Sequence, residues 1–267
     1  TLANQNNSLD QFSLAQSNGR KLVKDNSGNY HLVFSSGGEI FYHKTTDGGT
    51  TWLPANRLSD GNGNNSYPAI TESNGRLYVT WQRNTSSNNY DIYFAESSNG
   101  GSSWDNNYIL SSENVSYDPL PTIQSSSNHT ILAFRYNSGI KSLYTLYAKP
   151  TPGNWITRII GFSNSNSPTL TTAISGSTTL FPLAISNSST NHIYYFYFNT
   201  ATQNWTSLPN NLSLIVPGGG SHLTPSISNI PGNSKLHIAW EKLIGSGSSS
   251  YDHFIIHRRS INYFSWP

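Results

Sequence analysis

Apolar and aromatic residues come in short bursts parted by Gly, Asn and Ser, and they never settle into the 3.6-residue period of a helix. The bursts recur in a fixed order. A Pro-x-apolar start reads Pro68-Ala69-Ile70, Pro121-Thr122-Ile123, Pro168-Thr169-Leu170 and Pro225-Ser226-Ile227, with Lys21-Leu22-Val23 in its place in the first copy. A strongly apolar segment follows, at His31 to Phe34, Leu77 to Trp81, Ile131 to Phe134, Leu180 to Ile185 and Leu236 to Trp240. A third strand is predicted at Glu39 to His43, Asp91 to Ala95, Leu143 to Tyr147, His192 to Phe198 and His253 to His257. Each copy then turns into a tryptophan: Trp52, Trp104, Trp155, Trp205 and Trp266, separated by 52, 51, 50 and 61 residues. A short fourth segment, such as Leu53 to Leu58 or Ile156 to Ile160, leads into the next copy.

Four strands in every ~50 residues, repeated in tandem, predict an all-β chain folded as a β-propeller. A string of separate small domains is the disfavoured alternative, because ~50 residues rarely supply a core of their own. The expected organisation is a single domain over 1–267, with blades at about 20–65, 66–116, 117–166, 167–221 and 222–267. The last copy stops at Trp266-Pro267, and a strand-like piece, Leu9 to Gln16, precedes the first. That piece is expected to complete the fifth blade and remove an exposed edge; a sixth blade is the alternative if the chain continues.

Two of the tryptophan turns carry a recognisable motif. Thr45-Thr46-Asp47-Gly48-Gly49-Thr50-Thr51-Trp52 matches Ser/Thr-x-Asp-x-Gly-x-Thr-Trp throughout, and Ser97-Ser98-Asn99-Gly100-Gly101-Ser102-Ser103-Trp104 matches it with Asn for the acid and Ser for the Thr. The pattern resembles the Asp-box of sialidases and related BNR-repeat proteins. The short carboxylate or amide can bond N–H groups within its own turn, and the glycines admit unusual backbone angles. Asp47, Gly49, Trp52, Asn99, Gly101 and Trp104 are therefore read as structural. The turns at Trp155, Trp205 and Trp266 are eroded.

The sialidase resemblance implies three arginines for a substrate carboxylate, a Tyr/Glu nucleophile pair and an acid/base Asp. The Phe/Tyr-Arg-Ile-Pro motif that supplies one arginine is missing; Arg20 lacks the following Ile-Pro, and Phe134-Arg135-Tyr136 falls on a different strand. The copies do align a polar position just after the second strand, holding Ser35, Gln82, Arg135, Ser186 and Glu241. These five are the candidates for a sugar- or anion-binding site at the propeller axis. Glu241 is the one acid among them, whereas a glycosidase needs two carboxylates; Asp118 and Asp10 are the acids that loops could bring to it.

Composition narrows the rest. Only 10% of residues are charged but 13% are aromatic, which argues against disorder. The net charge of +2 comes without a basic cluster, so no nucleic-acid partner is expected. With no cysteine there is no disulfide framework or thiol chemistry. His253-x-x-x-His257 lies on a predicted strand and reads as structural, and Gly218-Gly219-Gly220 lacks the Lys-Ser/Thr of a phosphate loop, so neither metal nor cofactor is expected. No apolar run reaches the ~20 residues of a membrane span. Asn-x-Ser/Thr sequons at Asn6, Asn64, Asn84, Asn114, Asn128, Asn187, Asn204 and Asn211, and a start at Thr1 without any Met, fit a secreted or cell-surface protein with its signal peptide removed. The leading functional expectation is a non-catalytic propeller that binds glycans or a surface protein. The alternatives are an exo-glycosidase of sialidase type and a structural module of a cell-envelope assembly or filament.

Overall fold

The computed structural model describes residues 19–86, 89–114, 118–136, 139–145, 155–160, 164–206, 210–212, 221–229, 235–245, 251–262 and 264–266. Leu9 to Gln16, and with it the expected closing strand, lies outside the described residues. Chain contacts divide the protein into two compact units, Thr1–Leu132 with Leu143–Ile156 and Ala133–Ser142 with Thr157–Pro267.

The described residues contain no helix, and their strands form five antiparallel meander sheets, the architecture of a β-propeller. The first unit holds β1 (Leu22–Lys24), β2 (Tyr30–Ser36), β3 (Glu39–Thr45) and β4 (Asn56–Arg57) in one sheet, and β5 (Asn65–Ser73), β6 (Arg76–Ser86), β7 (Asn89–Ser97) and β8 (Asp105–Asn114) in the next, each paired in sequence order. A third sheet, of β9 (Thr122–Ser125), β10 (Thr130–Tyr136), β11 (Gly139–Thr145) and β12 (Ile156–Ile160), is divided between the units. In the second unit, β13 (Ser165–Leu170) and β14 (Ala173–Ser175) both pair with β15 (Thr178–Asn187). Next comes β16 (His192–Asn199), whose far edge carries two fragments, β17 (Asn204–Trp205) and β18 (Asn210–Asn211). The fifth sheet is β19 (Ser221–Asn229), β20 (Leu236–Gly245) and β21 (Tyr251–Arg259).

The second strands β2, β6, β10 and β15 are buried without alternation because both their faces are covered, whereas β20 alternates buried and half-buried positions. Leu77 through Gln82 on β6 and Leu180 through Asn187 on β15 are buried in unbroken runs. In the first unit Val33, Ile40, Tyr42, Ile70, Val79 and Trp81 pack into one cluster. In the second, Ala184, Ile193, Tyr195, Ile227, Ile238 and Trp240 form another.

Three of the turn tryptophans fasten sheet to sheet. Trp104 meets Tyr42 edge-on at 4.9 Å between centroids, Trp155 meets Phe94 at 5.2 Å, and Trp266 meets Tyr195 at 5.4 Å. Each partner sits on the third strand of the preceding repeat, ten residues before that repeat's own tryptophan. Such edge-to-face contacts add roughly 0.5–1.5 kcal/mol each beyond area burial. The turn leading to Trp52 is built on Asp47, whose carboxylate accepts from Thr51 N at 2.9 Å, Thr51 Oγ1 at 2.6 Å and Thr45 Oγ1 at 2.7 Å. Asn99 repeats the geometry, its Oδ1 accepting from Ser103 N at 2.9 Å and Ser97 Oγ at 3.0 Å. Gly101 must be glycine: its φ is +83°, and a Cβ there would collide with the Tyr42 hydroxyl.

One segment is shorter than its pattern suggests. The stretch Leu53 to Leu58 yields only the two-residue strand β4. Its remaining residues form no regular ladder, although Leu53 N and Leu58 N each bond a β3 carbonyl, of Lys44 and Ile40, at 2.8 Å.

Candidate active site

A proline cannot donate to a β-ladder, yet three first strands carry one, Pro68 in β5, Pro168 in β13 and Pro225 in β19. The chain absorbs it with a bulge. The pairing of β5 with β6 slips between Ser66 and Ala69, that of β13 with β15 between Asn166 and Thr169, and that of β19 with β20 between Leu223 and Ser226. The residue before the proline takes a left-handed backbone each time: Tyr67 at φ 51°, Ser167 at 47° and Thr224 at 45°. Leu120, before Pro121, does the same at 52°. Non-glycine residues held there concentrate at functional sites.

A polar residue stands three positions before each of these four prolines, at Asn65, Asp118, Ser165 and His222. Asn65, Ser165 and His222 are buried, and Asp118 is half-buried. Each is held by a side chain from a second strand. Trp81 Nε1 donates to Asn65 Oδ1 at 3.0 Å, Gln82 Nε2 to Asp118 Oδ1 at 2.6 Å, and Trp240 Nε1 to His222 Nδ1 at 2.6 Å. Asn187 Nδ2 reaches Ser165 Oγ at 3.5 Å.

Asp118 is the chemically capable member of the set in the first unit. Gln82, fully buried, clamps it with one amide group: the nitrogen donates to the carboxylate, and the oxygen accepts Leu120 N at 2.9 Å. The Tyr67 phenol also donates to Asp118, and burial together with that carboxylate pushes the phenol's pKa up. The carboxylate thus has fixed donors and a half-open position, the arrangement expected of a positioned acid or base. The neighbouring acids have other tasks. Glu39 accepts Gly63 N at 2.6 Å, Gly61 N at 3.2 Å and the Ser59 hydroxyl, tying down the loop before β5. Asp60 pairs with Arg83 at 2.8 Å.

In the second unit His222 is pushed down to about 4 by burial and by the nearby charges of Lys242 and His192. It is therefore neutral near pH 7, and because its Nδ1 accepts from Trp240, its own proton lies on Nε2.

The five axis candidates are placed as follows. Ser35 is buried on β2 opposite Ile40. Gln82 is buried against Asp118. Arg135 is half-buried on β10. Ser186 is buried, its hydroxyl 3.4 Å from Asn166 O. Glu241 meets His253 Nδ1 at 2.6 Å on a partly exposed face. His257 pairs instead through its Nε2 with His237 Nδ1, at 2.9 Å. The aligned position that touches a catalytically capable group is Gln82. The group itself, Asp118, belongs to a different repeat position that the alignment of second strands passed over. The signal for it was in the sequence, as a polar residue three before each of four prolines. The Arg20 carbonyl accepts Ile70 N at 2.8 Å.

Among the sequons, Asn64, Asn128 and Asn204 are exposed, and Asn84 is half-buried. Asn187 is 1% exposed, and its side chain bonds Ser165 Oγ, Ser189 N and Thr190 N, so its amide is occupied inside the fold. Asn6 and the side chains of Asn114 and Asn211 lie outside the described residues. No three His, Asp or Glu side chains group as metal ligands among the described residues, and no helix there is long and apolar enough to cross a membrane.

No family model matches the sequence, and no curated protein matches it. The fold does match solved structures. An α-L-arabinanase from Penicillium chrysogenum, complexed with arabinobiose, superposes with a TM-score of 0.57 at 12% identity, over 87% of this chain and 79% of that one. An α-L-arabinanase from Cellvibrio cellulosa, complexed with arabinohexaose, gives a TM-score of 0.50 at 12% identity, over 92% of both chains. These likenesses establish the fold, a β-propeller. They also correct the leading functional expectation. A non-catalytic binding propeller was inferred from missing sialidase residues, but these relatives in fold are enzymes of another specificity, for which those residues are no test.

Proposed function

We propose that this protein is a glycoside hydrolase acting on an arabinan-type polysaccharide, with Asp118 as one of its two catalytic carboxylates. The observation that carries the reading is Asp118 itself, a half-buried acid fixed by Gln82 and Tyr67 just ahead of a propeller strand, two residues before the left-handed Leu120. The arabinanase names of two proteins with this fold supply the substrate class. Glycoside hydrolysis uses one carboxyl group to protonate the leaving oxygen and a second to act as base or nucleophile. Gln82 and Tyr67 are positioning residues: both donate to the Asp118 carboxylate and hold it in one orientation.

The test is release of reducing sugar from linear arabinan. Wild-type protein is expected to cleave it. Asp118→Asn should lower kcat on the order of 10²–10⁴-fold, as removal of a general acid or base does, with KM little changed. Gln82→Leu should give a smaller loss, because the carboxylate stays but its orientation loosens. Full activity in Asp118→Asn would remove the assignment, and no turnover of any arabinan or arabinoside by wild type would remove the function.

A further inference from the structure

We propose a second saccharide-binding pocket in the first unit, away from Asp118, on the outer flank between the first and second sheets. It has a volume of about 450 Å³ and opens between β4 and the β7–β8 turn. Its cause is the shortness of β4. The fourth strand of the first sheet spans only Asn56–Arg57, so it leaves the neighbouring sheet's flank partly uncovered. The volume falls within the roughly 300–1,000 Å³ of small-molecule sites.

The lining is what a neutral sugar needs. Trp104 supplies an aromatic wall, held in place by its edge-on contact with Tyr42 and by packing against the core cluster. Asn56 and Ser103, both exposed, bring an amide and a hydroxyl. Arg57 and Asp105 add one charge of each sign, so the pocket gives a uronate no net attraction over a neutral ring. Arg57 enters no ion pair with any described residue, which leaves its fork of donors for ring and hydroxyl oxygens. The Gly61 turn makes room for it: at φ +89°, a Cβ on Gly61 would stand 3.0 Å from Arg57 Nη1. None of Tyr67, Gln82 and Asp118 lines this pocket. We infer that it holds a neutral stretch of the polysaccharide chain while another stretch is cut, a choice of ligand that rests on the hydrolase reading.

Heteronuclear NMR of the tryptophan indole N–H groups tests this directly, in the Asp118→Asn protein so that no probe is consumed. Arabinohexaose is the first probe and xylohexaose a second neutral one, so that a wrong sugar in the hydrolase reading is not mistaken for an empty pocket. The Trp104 signal, identified by its loss in Trp104→Phe, should shift saturably with at least one of them. Arg57→Ala should weaken that binding about tenfold, as loss of a charge-assisted donor does. A Trp104 signal unmoved by both probes, an affinity untouched by Arg57→Ala, or a shift seen only with oligogalacturonate would each overturn the proposal. The Asp118 assay is independent: binding without arabinan cleavage leaves this pocket standing and removes the function, and cleavage without a Trp104 shift does the reverse.

Discussion

Asp47 shows how much one side chain organises. Its carboxylate takes three hydrogen bonds from Thr45 and Thr51, and these hold its pKa well below the usual carboxylate range. A depressed folded-state pKa adds stability that is present above the unfolded value, near 4, and is lost only as pH falls through the lower folded one. The turn should therefore survive mild acid. Asp47→Ala is expected to lower the melting temperature at pH 7, and Asp47→Asn to be tolerated, since Asn99 fills the same role in the next repeat; equal melting of all three proteins would show the turn to be indifferent to its acceptor. His222 works with the opposite charge. Its folded pKa of about 4 lies below the unfolded value of ~6.5, so the unfolded chain binds the proton more readily, and stability is full above pH ~6.5 and declines as pH falls toward 4. His192 and Lys242 add to that cost. His222→Asn would keep an acceptor for the Trp240 indole, as Asn65 does for Trp81. Urea titrations between pH 4 and 7 should show a flatter acid limb in that variant, and an unchanged slope would mean that His222 is not the titrating group.

At the scale of elements, the bulge before each proline is the device that matters. It costs backbone strain, since a non-glycine residue in the left-handed region is disfavoured by roughly 1–2 kcal/mol, and Thr224 is β-branched besides. In exchange, the chain turns a polar side chain into a fixed place at the strand's start. Thr224 is exposed, so its side chain contributes little packing. Thr224→Gly is expected to raise unfolding stability by about 0.5–1 kcal/mol, read from the urea midpoint at constant slope. A loss instead would show that the threonine is needed where it stands. Strand order, the prolines and the tryptophan period were legible in the sequence because each is a local rule repeated. The bulge was not. A one-residue slip in pairing leaves the composition of a strand unchanged, yet it decides which side chains share a face. The same blindness let Leu53 to Leu58 read as a strand when only Asn56 and Arg57 pair.

For the whole molecule, binding and stability are linked. A ligand that binds only the folded chain stabilises it by about 2.7 kcal/mol at one hundred times its Kd. Arabinohexaose added to Asp118→Asn should therefore raise the melting temperature in a concentration-dependent way. A melt independent of sugar, across concentrations that saturate any plausible site, would count against the hydrolase reading and the flank pocket together.

The sequence by itself determined that this is an all-β propeller of four-stranded repeats. It did so because strand periodicity, turn residues and a tryptophan every ~50 residues are local properties of the chain. It also determined the chemistry of the Asp47 turn, where donor and acceptor lie within four residues of each other. Only the tertiary structure decided which polar residues matter. Gln82 and Asp118 are far apart in the chain and in different repeats, and they meet because one sheet packs on the next. The empty flank beside Trp104 likewise exists because a strand is short relative to its neighbour. Both are matters of distance between segments remote in sequence, which no local pattern records.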